Sequence, residues 1–498
     1  GSALDIGYNP GCSFGMVLGH PNGNGNFRVT TSYDDESTFT FPSGDFTEFN
    51  QQLGTTELYT TNDTAGTTFW LPNGVTSYGN LILSPLGGSN IIFPNNDLLI
   101  YGNLTTRGQN ADSWFCPTWN GDYPTEPTTR VAKTITVRGN LNIEGGALIW
   151  YGNGDITQKI VVNGDVTVAY WGAIDVWSDV LYPATSQSLS IGGSLINNSS
   201  GTIGNGATET TSRCDFTTLP VTFFGSGTKK VTNTSGTPTT IFSTLTIDKG
   251  SSQADSLIID ISNTLTTPTN SWLTLKNGTL VYRRSNPATN FTISAATVFT
   301  IPETAGLYID YPNNSNNRNI LIANAANSSS DLILDGKLTV RAGNVYIGPT
   351  NGTTNNNNDI VYSGGGSSTI DVQGGNLRVN GQIRRSTATT TGVLKYYQSG
   401  GNVVINGQGS DATALTRAKL EVVNNGSVFS MSDGTITIVR GGGTSFGDLY
   451  LRPASGSVTG GEIIFTQVPS GWTGAMADAP QAYRMDASIP LNNLTVTG

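Results

Sequence analysis

Charge is scarce in this sequence. Only 12% of its 498 residues are Asp, Glu, Lys or Arg, against about 25% in an ordinary globular chain. The few charges lean acidic, 35 Asp+Glu against 25 Lys+Arg, for a net charge of −10. A nucleic-acid partner calls for a basic face, so none is expected. Histidine is nearly absent: there is one, His20. The three cysteines, Cys12, Cys116 and Cys214, stand far apart with no CxxC pair. That leaves no His/Cys cluster for zinc and at most one internal disulfide. No apolar run approaches the ~18 residues that a membrane helix needs, so no membrane insertion is expected. Phosphate loops are missing as well.

What is abundant is glycine, 62 residues, together with Asn, Thr and Ser. Glycine loses backbone entropy in a helix, and Asn, Ser and Thr compete for backbone hydrogen bonds. Hydrophobic residues still make up 36%, in short alternating runs. Alternation of this kind predicts many short strands joined by polar turns, an all-β chain.

One pattern recurs: apolar, x, apolar, x, Gly, x, apolar, x, apolar. It occupies residues 98–106 (with a polar last position), 135–143, 160–168 and 332–340. Period-two alternation puts each apolar set on one side of an extended chain. The central glycine suits a bend or bulge between two strand pieces. Gly79 to Gly102 spans 23 residues, Gly139 to Gly164 spans 25 and Gly164 to Gly193 spans 29. Each interval fits one coil of a parallel β-helix, a β-solenoid whose inward residues stack along its axis. Ile135, Val137, Leu141, Ile143, Ile160, Val162, Val166 and Val168 are then core, and Gly102, Gly139, Gly164 and Gly336 sit at equivalent bends. The longer step from Gly102 to Gly139 predicts an inserted loop near residues 107–130. Residues 1–70 are expected to form an N-terminal β cap or lead-in, and 71–498 the solenoid. The closing Leu-Asn-Asn-Leu-Thr-Val reads like the opening strand of another repeat, as expected of a piece of a longer chain. Antiparallel sandwich modules are the competing architecture, but they turn every 8–12 residues and break between modules.

Five of the eight Trp lie close together: Trp114, Trp119, Trp150, Trp171 and Trp177. Flat amphipathic rings stack on sugars or anchor a partner, so these five are the candidate contact residues. The alternative is that they pack the insertion against the coils. Catalytic groups are harder to find. Glycoside hydrolysis needs two carboxylates across the scissile bond. Asp155, Asp165, Asp175 and Asp179 are spaced 10, 10 and 4 apart, out of step with a coil of about 25. Arg283-Arg284 and Arg384-Arg385 have no acidic cluster close in sequence. No catalytic residue and no cofactor is therefore expected. Oxygen-rich turns such as 313–317 and 355–359 could hold structural calcium.

The repeats resemble those of very large Bacteroidota surface proteins exported by the type 9 secretion system and described as adhesins. The phrases that carry this are Thr76-Ser-Tyr-Gly-Asn-Leu-Ile-Leu-Ser-Pro85, Val161-Val-Asn-Gly-Asp-Val166, Phe242-Ser-Thr-Leu-Thr-Ile-Asp-Lys-Gly250, Gly381-Gln-Ile-Arg-Arg385 and Gly447-Asp-Leu-Tyr-Leu-Arg-Pro453. The resemblance implies an extracellular, cell-attached protein that passes the type 9 secretion machinery and serves adhesion or gliding. Its partners would be extracellular glycans or surfaces. It also implies O-glycosylation at Asp-Ser/Thr-apolar sites, here Thr64 and Ser256. The expected function is thus a non-enzymatic adhesin or stalk segment. The alternative is a β-helical polysaccharide lyase or glycoside hydrolase. An ice-binding face would need strict outward threonine arrays, which the local Thr runs do not form.

Overall fold

The structure, a computed structural model, describes residues 3–6, 25–31, 45–60, 68–72, 74–108, 113–117, 131–151, 156–177, 186–199, 213–233, 238–261, 265–268, 270–284, 290–295, 298–312, 318–325, 330–350, 358–363, 367–387, 389–406, 418–439, 448–466 and 483–497. The chain is a parallel β-helix. Among the described residues the one α-helix is the short Thr47–Gln51. Two compact units divide the chain. Unit 1 comprises residues 1–225, 229–246 and 263–267; unit 2 comprises 226–228, 247–262 and 268–498.

In unit 1 the strands climb in parallel columns. One column runs Ala3–Ile6, Asn26–Thr31, Thr55–Thr60, Asn80–Ser84, Leu104–Arg107, Leu141–Tyr151, Val166–Trp177, Leu195–Asn197. Three described strands of the lead-in expected over residues 1–70 thus lie on the same ladder as the repeats. A second column runs Ser77–Tyr78, Leu98–Ile100, Lys133–Val137, Gln158–Val162, Gln187–Ile191. Within the stretch expected to hold an inserted loop, 107–130, Trp114–Cys116 is a coil strand. Trp114–Cys116 pairs in parallel with Asn90–Ile92 below and Leu141–Tyr151 above. The backbone groups there find ladder partners that sequence spacing did not reveal; residues 109–112 and 118–130 lie outside the described residues.

The core follows the motif. All eight expected inward residues are buried, none more than 2% exposed. They stack in register as Leu98, Ile135, Ile160, Leu189 and as Leu104, Leu141, Val166, Leu195. Each such aliphatic contributes roughly 1.5–3 kcal/mol on burial. Val166→Asp would put an unpaired charge in this stack and is expected to cost several kcal/mol. Thermal unfolding measures it, and a melting temperature equal to wild type would refute the register.

The recurring pair Gly-Asn (Gly-Asp at Gly164) has a physical cause. Gly102, Gly139, Gly164 and Gly193 each donate their N–H to the glycine carbonyl one coil below, at 2.8–2.9 Å. The Asn or Asp after each glycine presents Oδ1 to the backbone N–H one coil above: Asn80 to Asn103, Asn103 to Asn140, Asn140 to Asp165, Asp165 to Ser194, at 2.7–2.8 Å. A Cβ on Gly102, Gly139, Gly164 or Gly193 would lie within 2.5 Å of such an Oδ1. None of these glycines has positive φ. Close approach, not a left-handed conformation, demands them. Gly336 holds the same place in unit 2, between Leu332–Leu334 and Lys337–Ala342. There its Cβ would meet the carbonyls of Ala305 and Pro302 at 2.2 Å.

Unit 2 repeats the parallel architecture. Ser256–Asp260, Leu273–Tyr282, Ala305–Asp310, Lys337–Ala342, Ser367–Val372, Val393–Ile405, Leu420–Val439 and Leu449–Val458 form one climbing column. Side-chain amides also stack outside its core. Asn376 donates to Asn344 at 2.7 Å, and Asn402 donates to Asn376 at 2.9 Å.

Candidate functional site

The aromatic stretch is where unit 1 departs from smooth coils. Leu141–Tyr151 and Val166–Trp177 run in register up to Ile143↔Val168, then resume at Gly145↔Trp171. Residue 144 on one strand and residues 169–170 on the other are left unpaired. Strict alternation would send neighbours Tyr170 and Trp171 to opposite faces. The bulge turns both outward, at 52% and 58% exposure. Their ring centroids lie 4.7 Å apart at 77°, edge to face. Gly145 and Arg107 occupy the same row one and two coils below. Arg107 Nε donates to Glu144 Oε2 at 2.7 Å, with both side chains about half exposed. Two rings, one guanidinium and one carboxylate thus share an open face.

The other tryptophans do not join it. Trp150 is fully buried. Its side chain falls on the inward alternation of Leu141–Tyr151, so it is a core residue and not a contact residue. Trp114 is partly buried against an apolar cluster of Ile92, Cys116, Ala147, Ile149 and Ala173. It packs there from a coil strand, Trp114–Cys116. Trp119 and the Trp177 side chain lie outside the described residues, as does Thr64. Tyr170 directly precedes Trp171 in the sequence. The bulge that exposes it has no signature in the apolar pattern.

Ser256 opens the strand Ser256–Asp260 and is half-buried. Its hydroxyl is hydrogen-bonded to Thr228 Oγ1 at 3.0 Å. The open turn expected of a glycosylated serine is not what surrounds it. Of the turns suited to calcium, 313–317 and 355–357 lie outside the described residues. Asn358 donates to the carbonyls of Ala323, Ala325 and Ser330, at 2.9–3.0 Å. Asp359 is occupied by Gln382 and Arg384. Among the described residues no three His, Cys, Asp or Glu side chains gather as a metal site would require. Asp165 belongs to the Gly-Asn ladder, Asp175 accepts from the Val176 N–H, and Asp155 and Asp179 are outside the described residues.

Arg384-Arg385 does acquire carboxylates, from neighbouring coils. Arg384 Nε lies 2.6 Å from Asp359 Oδ2, and Arg385 Nε 3.4 Å from Glu421 Oε2. Lys419 Nζ lies 3.5 Å from Asp448 Oδ1. Asp359, Glu421 and Asp448 are all fully buried. Burial pushes the Asp359 carboxyl up, to about 7, against the pull of Arg384. The sequence signal was there: partners stand 25 and 36 residues apart, one coil each. These are closed ion pairs that no polymer reaches.

A second buried charge lies in unit 1. Lys133 shares its row with Gln158 and Gln187, all three buried. Its Nζ donates to the carbonyls of Pro94 at 2.7 Å and Phe93 at 3.4 Å. Burial lowers its pKa from 10.5 to about 7. Between those values the unfolded chain holds a proton that the folded chain has released, so stability rises with pH. The thiols of Cys116 and Cys214, pushed up by burial, act oppositely above pH 9. Urea unfolding from pH 7 to 9 should therefore gain about 1 kcal/mol per unit. Lys133→Met should flatten that slope, and an unchanged slope would show that Lys133 is not its source.

No protein-family model, curated protein or solved structure matches the chain.

Proposed function

We propose that this chain is a non-enzymatic segment of an extracellular surface protein, built for reach and for contact with glycans or surfaces. The observation that carries this reading is the exposed Tyr170–Trp171 pair on a strand of unit 1. Two large rings held open to solvent by a bulge lose hydration and gain contact when a sugar or partner surface covers them. The backbone beneath is a parallel ladder, so the rings are presented by a rigid element rather than a loop. Solenoids of this kind lengthen coil by coil while the core stays continuous, which suits a stalk. The charges gathered at Asp359, Arg384, Arg385 and Glu421 favour the same reading over a hydrolase or lyase. Their carboxylates are buried and paired, whereas catalysis would need them open to a saccharide. The resemblance to type 9 secreted surface proteins supports a cell-surface location and passage through that machinery.

Purified chain binding to glycan arrays and to cell surfaces tests the proposal. Tyr170→Ala/Trp171→Ala is expected to lose most of the binding while melting as wild type does. Full retention of binding by the double variant would overturn it.

A further inference from the structure

We infer that the Tyr170–Trp171 face takes a neutral pyranose glycan, oriented by the Arg107–Glu144 ion pair on the coils below. This deepens the reading above and rests on it. The register supplies the geometry. Arg107, Gly145 and Trp171 occupy one row on three successive coils, each about 4.8 Å from the next. Among the described residues, glycine stands on that row between the guanidinium and the indole. A Cβ on Gly145 would meet the Gly108 carbonyl at 2.3 Å, so this position of the row carries no side chain. The row therefore reads guanidinium, bare glycine, indole, with Glu144 beside the glycine.

The chemistry of that pair selects the ligand. A sugar hydroxyl both donates and accepts a hydrogen bond. Arg107 spends one of its five N–H donors on one of the two Glu144 oxygens. Donors and an acceptor therefore remain side by side, at no net charge. Vicinal hydroxyls match that arrangement, while the apolar C–H face of a pyranose suits the indole. An acidic sugar fits worse. The Arg107 charge is already met by Glu144, the Glu144 carboxylate repels a uronate or sulfate, and the whole chain carries −10.

The test titrates the full chain with two arms: cellohexaose and mannohexaose as neutral probes, oligogalacturonate and sulfated dextran oligomers as acidic ones. Binding is expected in the neutral arm. Trp171→Ala should weaken it about tenfold, and Arg107→Ala and Glu144→Ala several-fold each. All three side chains are exposed, so melting temperatures should hold and serve as the folding control. Neutral binding that ignores both Arg107→Ala and Glu144→Ala would overturn the role of the ion pair. A preference for the acidic arm, lost in Trp171→Ala, would overturn the neutral class and leave the contact reading standing. No sugar in either arm, with Trp171→Ala still reducing attachment to cells, would overturn this inference alone. A Trp171→Ala chain that matches wild type in every assay would overturn both.

Discussion

Gly164→Val is expected to destabilise unit 1 by more than about 4 kcal/mol, or to stop it folding. The new Cβ would lie 2.2 Å from Asn140 Oδ1 and 2.6 Å from the Gly139 carbonyl. Asn140 cannot swing away without cost, because its Oδ1 accepts the Asp165 N–H at 2.8 Å. The Gly139 carbonyl is held by Gly164's own N–H at 2.9 Å, and Gly193 bonds Gly164 in turn at 2.8 Å. Relief therefore requires opening the ladder between coils, which strands buried backbone groups. Asn140→Ala should cost less, about 1–3 kcal/mol, since it leaves one N–H unsatisfied and introduces no clash. Gly25→Ala is the control: nothing lies within 4 Å of its Cβ, and its φ is not positive. Near-ultraviolet circular dichroism during heating gives the ranking. A Gly164→Val chain that melts within a degree or two of wild type would disprove the stacked glycine column.

Arg384→Met is the second large effect, in unit 2. It leaves Asp359 fully buried without its guanidinium partner. Breaking one side of a buried pair typically costs 3–5 kcal/mol, because the remaining charge is uncompensated. The loss should depend on pH in a defined direction. Asp359 already has a folded-state pKa above the unfolded value of 3.8, and removing the cation raises it further. The folded chain then holds a proton that the unfolded chain has released. Stability is fully present below pH 3.8 and is lost as pH rises through the folded value. The variant should accordingly be much weaker than wild type at pH 8 and closer to it at pH 5. Asp359→Asn/Arg384→Met should recover part of the loss. Denaturant midpoints at the two pH values measure this, and an equal deficit at both would mean that Asp359 is not the stranded charge.

The two effects differ in how far sequence could foresee them. Gly164 stood out at once as the centre of a repeated motif, although its role in close packing did not. A glycine in a β pattern suggests a bend or a bulge equally well. Only the stacked coil shows that its missing Cβ makes room for the Asn140 oxygen. Arg384 and Asp359 looked unrelated because ion pairs are sought nearby in sequence. In a coil the nearest neighbours are one full turn away, 25 residues here.

The alternating apolar runs and their spacing determined by themselves that the chain winds as a parallel β-helix, and which residues line its core. Period two allows one inward face, and burying that face in one chain requires each coil to rest on the last. The identity of the open aromatic face was decided only in three dimensions. Trp114, Trp150 and Trp171 are chemically alike and equally prominent in sequence. Trp150 is buried by alternation, and Trp114 is partly buried against the apolar cluster that includes Cys116. Trp171 is exposed by a bulge of unpaired residues at 144 and 169–170. A register shift depends on how two coils meet, not on the residue types in either strand. That is why the fold could be read from periodicity, while the face that meets a partner could not.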